Sequence, residues 1–242
     1  MVYDAATGQL LLFGGSAATG AGGGFFAGTW EWTGRDWRKL HPADSPAARR
    51  DGDLIYDAAT QTVVMFGGYD GSYLGDTWIW DGGTWNVHLE PPEPVDGGPS
   101  PRDGGSFTFD AATGTGVLFG GFDGVNRFTG TWTWTGGPGS EGSWALQQPA
   151  TSPPDSAFGW MAAYDAITQR VLLFGQASAR TWAWNGVTWT SLAPAASPPG
   201  RNSGTMTDNT ASSRILLFGG RARHGAVNDL WSWDGATWQR NH

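Results

Sequence analysis

The rhythm of the tryptophans constrains this chain more than any other feature. It holds sixteen in 242 residues, and fifteen of them fall on one repeating pattern. Trp-x-Trp pairs stand at Trp30/Trp32, Trp78/Trp80, Trp132/Trp134, Trp182/Trp184 and Trp231/Trp233, and a third Trp follows each pair at Trp37, Trp85, Trp144, Trp189 and Trp238. Only Trp160 lies outside the pattern. A Phe that closes an apolar run recurs in step at Phe13, Phe66, Phe119, Phe174 and Phe218, with spacings of 53, 53, 55 and 44. Self-similarity at this period marks a chain built from five copies of one supersecondary unit.

The copy from Leu54 to Leu89 shows what the unit is. A first strand ends at Ile55-Tyr56, and Asp57 to Gln61 is a tight turn. Val63 to Phe66 forms a second strand stopped by Gly67-Gly68. Thr77 to Trp80, a turn at Asp81-Gly82-Gly83, and Trp85 to Leu89 complete it. Short β-branched and aromatic runs broken by Gly and Asp predict strands and hairpins, and no helical period competes with them. One such small sheet cannot bury both faces, so neighbouring copies must stack. The tryptophans supply the apolar area, about 150–250 Å² for each one buried.

At these residues the chain resembles the kelch family, including the propellers of the galactose-oxidase central-domain type. The matching features are the double glycine after a Leu-Leu-Leu-Phe-type strand, the aromatic-Asp pair before it, and the Trp pair and single Trp after it. The resemblance implies an all-β fold, a β-propeller of five kelch-like four-stranded antiparallel blades, or a fragment of a larger propeller. It would form one domain over 1–242, with repeats at about 1–50, 51–103, 104–158, 159–202 and 203–242. The first repeat lacks some seven opening residues relative to the second, and the last stops four residues past Trp238. Three departures stand out. Gly175-Gln176 replaces the double glycine in repeat four, and Asp208-Asn209 replaces aromatic-Asp in repeat five. The slot where kelch repeats often carry His holds Gly52, Gly105, Trp160 and Gly204. Copper chemistry of the galactose-oxidase type uses a Cys–Tyr crosslink, and the absence of Cys leaves it unsupported.

A formal charge of −8 argues against nucleic acid and anionic membrane surfaces as partners. No apolar run reaches the length of a spanning helix. Without Cys the redox compartment is unreadable, and no signal peptide precedes the repeats. His41, His88, His224 and His242 occupy unrelated repeat positions with no ligand spacing, so no metal site is expected. The glycine pairs precede no helix and no Gly-Lys-Ser/Thr, so they are not phosphate loops. No nucleophile motif appears, and neither catalytic residues nor a cofactor is assigned.

The turns between first and second strands are nearly identical (DAATG, DAATQ, DAATG, DAITQ), whereas the loops from second to third strand and from one repeat to the next vary. In an up-and-down sheet both variable connections emerge on one side, which marks that side as the binding face. Several features fall on it. The loop from Ser16 to Gly28 carries Phe25-Phe26, either tucked in or forming a binding tip. The linker after repeat two carries Glu90, Glu93 and Asp96. Three arginines, Arg49, Arg102 and Arg201, occupy one repeat position seven residues before the aromatic of aromatic-Asp, where repeat four has Ala157. If the first strand is innermost, they ring a channel mouth and offer donors for carboxylate or sulfate. Alternatively each holds backbone carbonyls or an Asp of its own repeat. Trp160, near the same rim, stacks on a sugar or peptide, or fills space left by glycines. The expected function is a non-catalytic binding module for a protein, peptide or glycan. The alternative is an epimerase- or lyase-like carbohydrate-active enzyme using rim arginines and acids.

Overall fold

The computed structural model describes residues 1–17, 24–89, 97–139, 141–154, 159–175 and 179–241. Ala157, Gln176, His242 and the linker acids Glu90, Glu93 and Asp96 lie outside them. The described residues contain strands and no helix. The chain divides into two compact units, Met1–Gly104 with Trp134–Ala145, and Gly105–Thr133 with Leu146–His242.

In the first unit, one antiparallel sheet runs β1 (Val2–Asp4), β2 (Gln9–Phe13), β3 (Thr29–Trp32), β4 (Trp37–Lys39). A second runs β5 (Asp53–Asp57), β6 (Thr62–Tyr69), β7 (Tyr73–Trp80), β8 (Trp85–Leu89). The third sheet is shared between the units and has the same order: β9 (Asp103–Asp110), β10 (Thr115–Phe122), β11 (Thr131–Gly136), β12 (Gly142–Gln147). The second unit adds β13 (Met161–Asp165), β14 (Arg170–Phe174), β15 (Thr181–Trp184) and β16 (Trp189–Ser191) as a fourth sheet. Its last repeat makes two sheets from β17 (Arg201–Asn202), β18 (Thr205–Asn209), β19 (Arg214–Phe218), β20 (Arg221–Ala222), β21 (Gly225–Ala226), β22 (Leu230–Trp233) and β23 (Trp238–Asn241). One is four-stranded, β18-β19-β22-β23, and the other a three-stranded ribbon, β17-β20-β21. The described residues thus hold five four-stranded sheets and one of three strands.

The repeated Asp sets each first turn. Asp57 Oδ1 accepts from the backbone N–H of Ala59 at 2.9 Å, and Asp4, Asp110 and Asp165 do the same. Such side-chain-to-backbone bonds are why Asp suits turns. The double glycines end β2 at Phe13 and β19 at Phe218 as expected, but not β6 or β10. β6 passes through Gly67-Gly68 to Tyr69 with a register shift between Phe66 and Gly68. The reason is close backbone approach. Gly68 N–H donates to the Arg102 carbonyl at 2.9 Å, and a Cβ on Gly67 (φ +67°) would lie 2.6 Å from that oxygen. The glycines therefore make room for the segment leading into the following repeat.

One contact set recurs inside each unit and explains the tryptophan rhythm. In the first unit, Phe13 meets Trp85 and Phe66 meets Trp144, with centroids 5.5 and 5.1 Å apart. Trp85 Nε1 donates to Thr29 Oγ1 and Trp144 Nε1 to Thr77 Oγ1, both at 3.0 Å. In the second unit, Phe119–Trp189 and Phe174–Trp238 repeat the ring contact, and Trp189 and Trp238 donate at 2.8 Å to Thr131 and Thr181. The third Trp of repeats two to five thus buries its rings against the preceding repeat and satisfies its N–H there, whereas Trp37 of the first repeat stays 39% exposed.

Candidate functional site

The arginines at the repeated position lie inside the protein. Arg49 is 1% exposed. It donates from Nε to the Ala47 carbonyl, from Nη1 to the Gly67 carbonyl, and from Nη2 to Asp76 Oδ2 at 2.6 Å, with Nη1 on the other carboxylate oxygen. Asp76 also accepts from Trp78 Nε1 at 2.6 Å. In the other unit Arg201, 0% exposed, repeats this arrangement on the Pro199 and Gly219 carbonyls and, two-pronged, on Asp229, which also accepts from Trp231 Nε1. The Arg201 hydrogen bonds hold the Asp229 carboxyl down at about 2, with burial working against them and the Trp231 N–H adding to them. Bidentate, charge-assisted pairs of this kind are strong and geometrically exacting. The donors of Arg49 and Arg201 are turned onto the protein, so these two side chains clamp a repeat and present no open guanidinium. Arg102 is also buried, with Nε on the Ser100 carbonyl at 2.8 Å; its repeat has Gly130 at the position of Asp76 and Asp229. Trp160 is buried too, edge-on to Phe119 at 5.8 Å and against Gly120 and Gly175, where it fills glycine space. Each of the four side chains is buried within its own unit.

A second repeated position, one residue further on, carries chemistry that differs from copy to copy. The position after each repeated Arg holds Arg50, Asp103 and Asn202, and the next holds a left-handed residue in every described copy: Asp51 (φ 52°), Gly104 (φ 60°), Gly159 (φ 82°) and Ser203 (φ 54°). Asp51 therefore keeps an exposed carboxylate where glycine would be unstrained. Arg50 pairs with Asp51, lies 3.6 Å from Asp103 Oδ2, and rests over the Tyr69 ring at 4.8 Å from its centroid. Its backbone bridges Tyr69 in both directions, which fixes the stack. Asp103 is 3% exposed, and its Oδ1 has no hydrogen-bond partner.

Two carboxyls of this cluster are pushed up from the ordinary range. Asp53, at the start of β5, is raised well above it by burial first and then by Asp51; Asp103 adds to this, while the Met1 amino group and Arg102 oppose it. Asp103 is raised by burial, with Arg50 opposing and Asp51 reinforcing. Aromatic rings flank the acids. Phe25 and Tyr69 meet at 5.8 Å and 76°, and Tyr69 and Tyr73 at 5.0 Å and 62°. All three are half-buried, so Phe25 tucks against Tyr69, while its neighbour Phe26 stays 51% exposed. The Phe25-Phe26 segment is held by the Ser16–Phe25 bridge and by Phe26 N–H on the Gly15 carbonyl at 2.9 Å. The whole cluster belongs to the first unit. It was missed in the sequence because its members occupy scaffold positions. The available signal was that Arg50 and Asp103 share one repeat position with opposite charge.

A groove of about 600 Å³ in the same unit is lined by Val87, His88, Thr135, Gly136, Glu141 and Ser143, where repeat three carries its insertion. Gly137 and Gly142 complete its lining, and His88 lies edge-on to buried Trp134 at 5.0 Å. Among the described residues no three His, Cys, Asp or Glu side chains are grouped to hold a metal.

No family model and no curated protein matches this chain. Solved structures do match, among them one described as "Structure of YjhT". It aligns over 97% of this chain and 81% of its own, with a TM-score of 0.71 and 14% identity. At that identity the likeness concerns the fold alone, a propeller-like assembly of four-stranded antiparallel sheets.

Proposed function

We propose that this chain is a kelch-type propeller of five blades that acts as a binding module, and that it receives a protein, peptide or glycan on the variable-loop side of its first unit. One observation carries the reading: the cluster of half-buried Arg50 and exposed Asp51 over buried Asp103, with Phe25, Tyr69 and Tyr73, is left over from the contacts that recur between repeats. Aromatic and guanidinium groups at a polar rim are the groups that dominate recognition surfaces. Peptide and glycan arrays probed with labelled protein test this. Ligands captured by the wild type should lose about tenfold in affinity in Tyr69→Ser, with the urea midpoint little changed. Unchanged capture of every ligand by Tyr69→Ser and Asp51→Asn would place the site elsewhere.

A second reading, an epimerase- or lyase-like carbohydrate-active enzyme, is favoured by the raised Asp53 carboxyl beside ionised neighbours, a pairing suited to proton donation and acceptance. Sugar turnover that disappears in Asp53→Asn would select it over binding alone.

A further inference from the structure

We infer that a small cavity in the second unit, beside the first turns of the fourth and fifth repeats, takes a single-ring aromatic amine. This site is distinct from the one proposed for the first unit. The fifth repeat departs from the aromatic-Asp pair: four copies place a ring at Tyr3, Tyr56, Phe109 and Tyr164, and the fifth places Asp208. The position has one setting in the strand pairs. Tyr56 stands opposite Val63, Tyr164 opposite Val171, and Asp208 opposite Ile215. In the first unit Tyr56 packs against the core cluster that holds Val63 and Trp80. In the second, Tyr164 packs against the one that holds Val171 and Trp184. Directly opposite residues, and residues two apart on one strand, share a face. Asp208 therefore shares its face with Ile215 and Met206, which belong to a core cluster with Ala163 and Leu172. A carboxylate does not fill the volume of a ring, and a cavity of about 120 Å³ opens at that point, bordered by Tyr164, Asp165, Asp208 and Ile215.

Size and chemistry select the occupant. An apolar cavity of about 150 Å³ holds benzene, so a slightly smaller one suits one six-membered ring and is too small for an indole. The other polar groups at its edge are engaged. Asp165 accepts from the Ile167 N–H at 3.0 Å, from Thr168 Oγ1 at 2.7 Å and from Trp233 Nε1 at 3.0 Å. Arg214, also at the edge, turns its Nη1 to Gln239 Oε1 at 3.2 Å and Ser232 Oγ at 3.5 Å. Asp208 is exposed, and among the described residues no hydrogen bond or ion pair engages its carboxylate. A ring bearing an ammonium on a short stem answers both parts, burying apolar area and pairing the charge. A ring bearing a carboxylate meets like charge instead.

The test is an NMR titration of the full chain with benzylamine, benzyl alcohol, butylamine and phenylacetate. Benzylamine should bind. Benzyl alcohol, which keeps the ring, and butylamine, which keeps the ammonium, should each bind at least about tenfold more weakly, and phenylacetate should show no binding up to about 10 mM. Asp208→Asn should weaken benzylamine about tenfold and leave benzyl alcohol unchanged, with circular dichroism verifying the fold. Asp208→Tyr supplies the ring of the other repeats, and should abolish binding of every probe while raising the thermal midpoint, because it fills the cavity. No binding of benzylamine up to about 10 mM, binding of any other probe as tight as that of benzylamine, or benzylamine affinity unaffected by Asp208→Asn overturns the proposal. Benzylamine binding that persists in a folded Asp208→Tyr overturns it as well. If Asp208→Tyr fails to fold, the response of benzylamine and benzyl alcohol to Asp208→Asn decides.

Discussion

The Arg201–Asp229 clamp gives a quantitative handle on what holds the second unit together. The Asp229 side chain is 11% exposed and its partner 0%, so solvent screens the pair little. Lowering of the Asp229 carboxyl from 3.8 to about 2 corresponds to about 2.5 kcal/mol of native-state preference for the ionised form. The native carboxyl binds its proton less readily than the unfolded one, so this contribution is complete above about pH 5 and fades as pH falls from about 4 through about 2. Asp229→Asn removes the counter-charge and leaves a buried guanidinium. Stranding a buried charge costs about 3–5 kcal/mol, and the amide oxygen retains part of the bonding, so about 3 kcal/mol is expected at pH 7. With a urea slope of about 1–3 kcal/mol/M, the midpoint should fall by about 1–3 M. Urea titrations followed by circular dichroism at pH 7, 5, 4 and 3 measure both effects, and over that range the variant should show an acid limb flatter by about 1 kcal/mol, the remainder being lost only below pH 3. A double variant, Arg201→Met with Asp229→Leu, should recover only part of the loss, because the apolar pair carries no desolvation cost but leaves the Gly219 carbonyl and the Trp231 N–H without their partners. A single variant with the wild-type midpoint at pH 7, or with an unchanged acid limb, would refute the clamp as a stabilising contact.

Two further outcomes follow from the repeated contacts. Thr181→Val leaves Trp238 Nε1 buried without its 2.8 Å acceptor and should cost about 1–3 kcal/mol by urea unfolding, while Thr181→Ser should stay near the wild type. Gly67→Ala places a Cβ 2.6 Å from the Arg102 carbonyl at φ +67°. It should cost more than about 1 kcal/mol, measured as a lowered thermal midpoint, and wild-type stability there would show that the glycine only ends a strand.

The parts of the fold that were legible in the sequence are those where one residue type has one physical use. Tryptophan at a fixed interval has little purpose except burial between sheets, and aspartate before Ala-Ala-Thr has little except a turn; Trp85, Trp144, Trp189 and Trp238 and Asp4, Asp57, Asp110 and Asp165 do those things. Residues with several uses were read less well. The threonines that accept the indole N–H look in the sequence like ordinary strand residues. The glycine pairs read as stops, and β2 and β19 do end at them, yet β6 and β10 continue through, and at Gly67 the Arg102 carbonyl needs the space a side chain would take. Arginine is a mixed case. Of its two readings in the sequence, the one on backbone carbonyls and an Asp of its own repeat is what Arg49 and Arg201 show, but the carboxylate each takes, Asp76 or Asp229, lies 27 or 28 residues later and no local pattern connects the two.

The same difficulty shows where a ligand site should be sought in a chain of this kind. A residue that recurs at one position in several repeats has the same neighbours each time, and those neighbours satisfy it; Arg49 and Arg201 recur and are saturated. A residue that breaks the pattern meets surroundings built for something else. Arg50 and Asp103 stand at one position with opposite charge. Asp53 stands where the other repeats have Ser106, Met161 and Thr205, and Asp51 keeps a carboxylate on a backbone that two other copies give to glycine. Those surroundings leave an acceptor without a donor on Asp103 and crowd two carboxyls upward. In a repeat protein unmet chemistry of this sort collects at the exceptions, so the positions where the copies disagree are where a site is to be sought, and the strongest shared motif draws attention away from them.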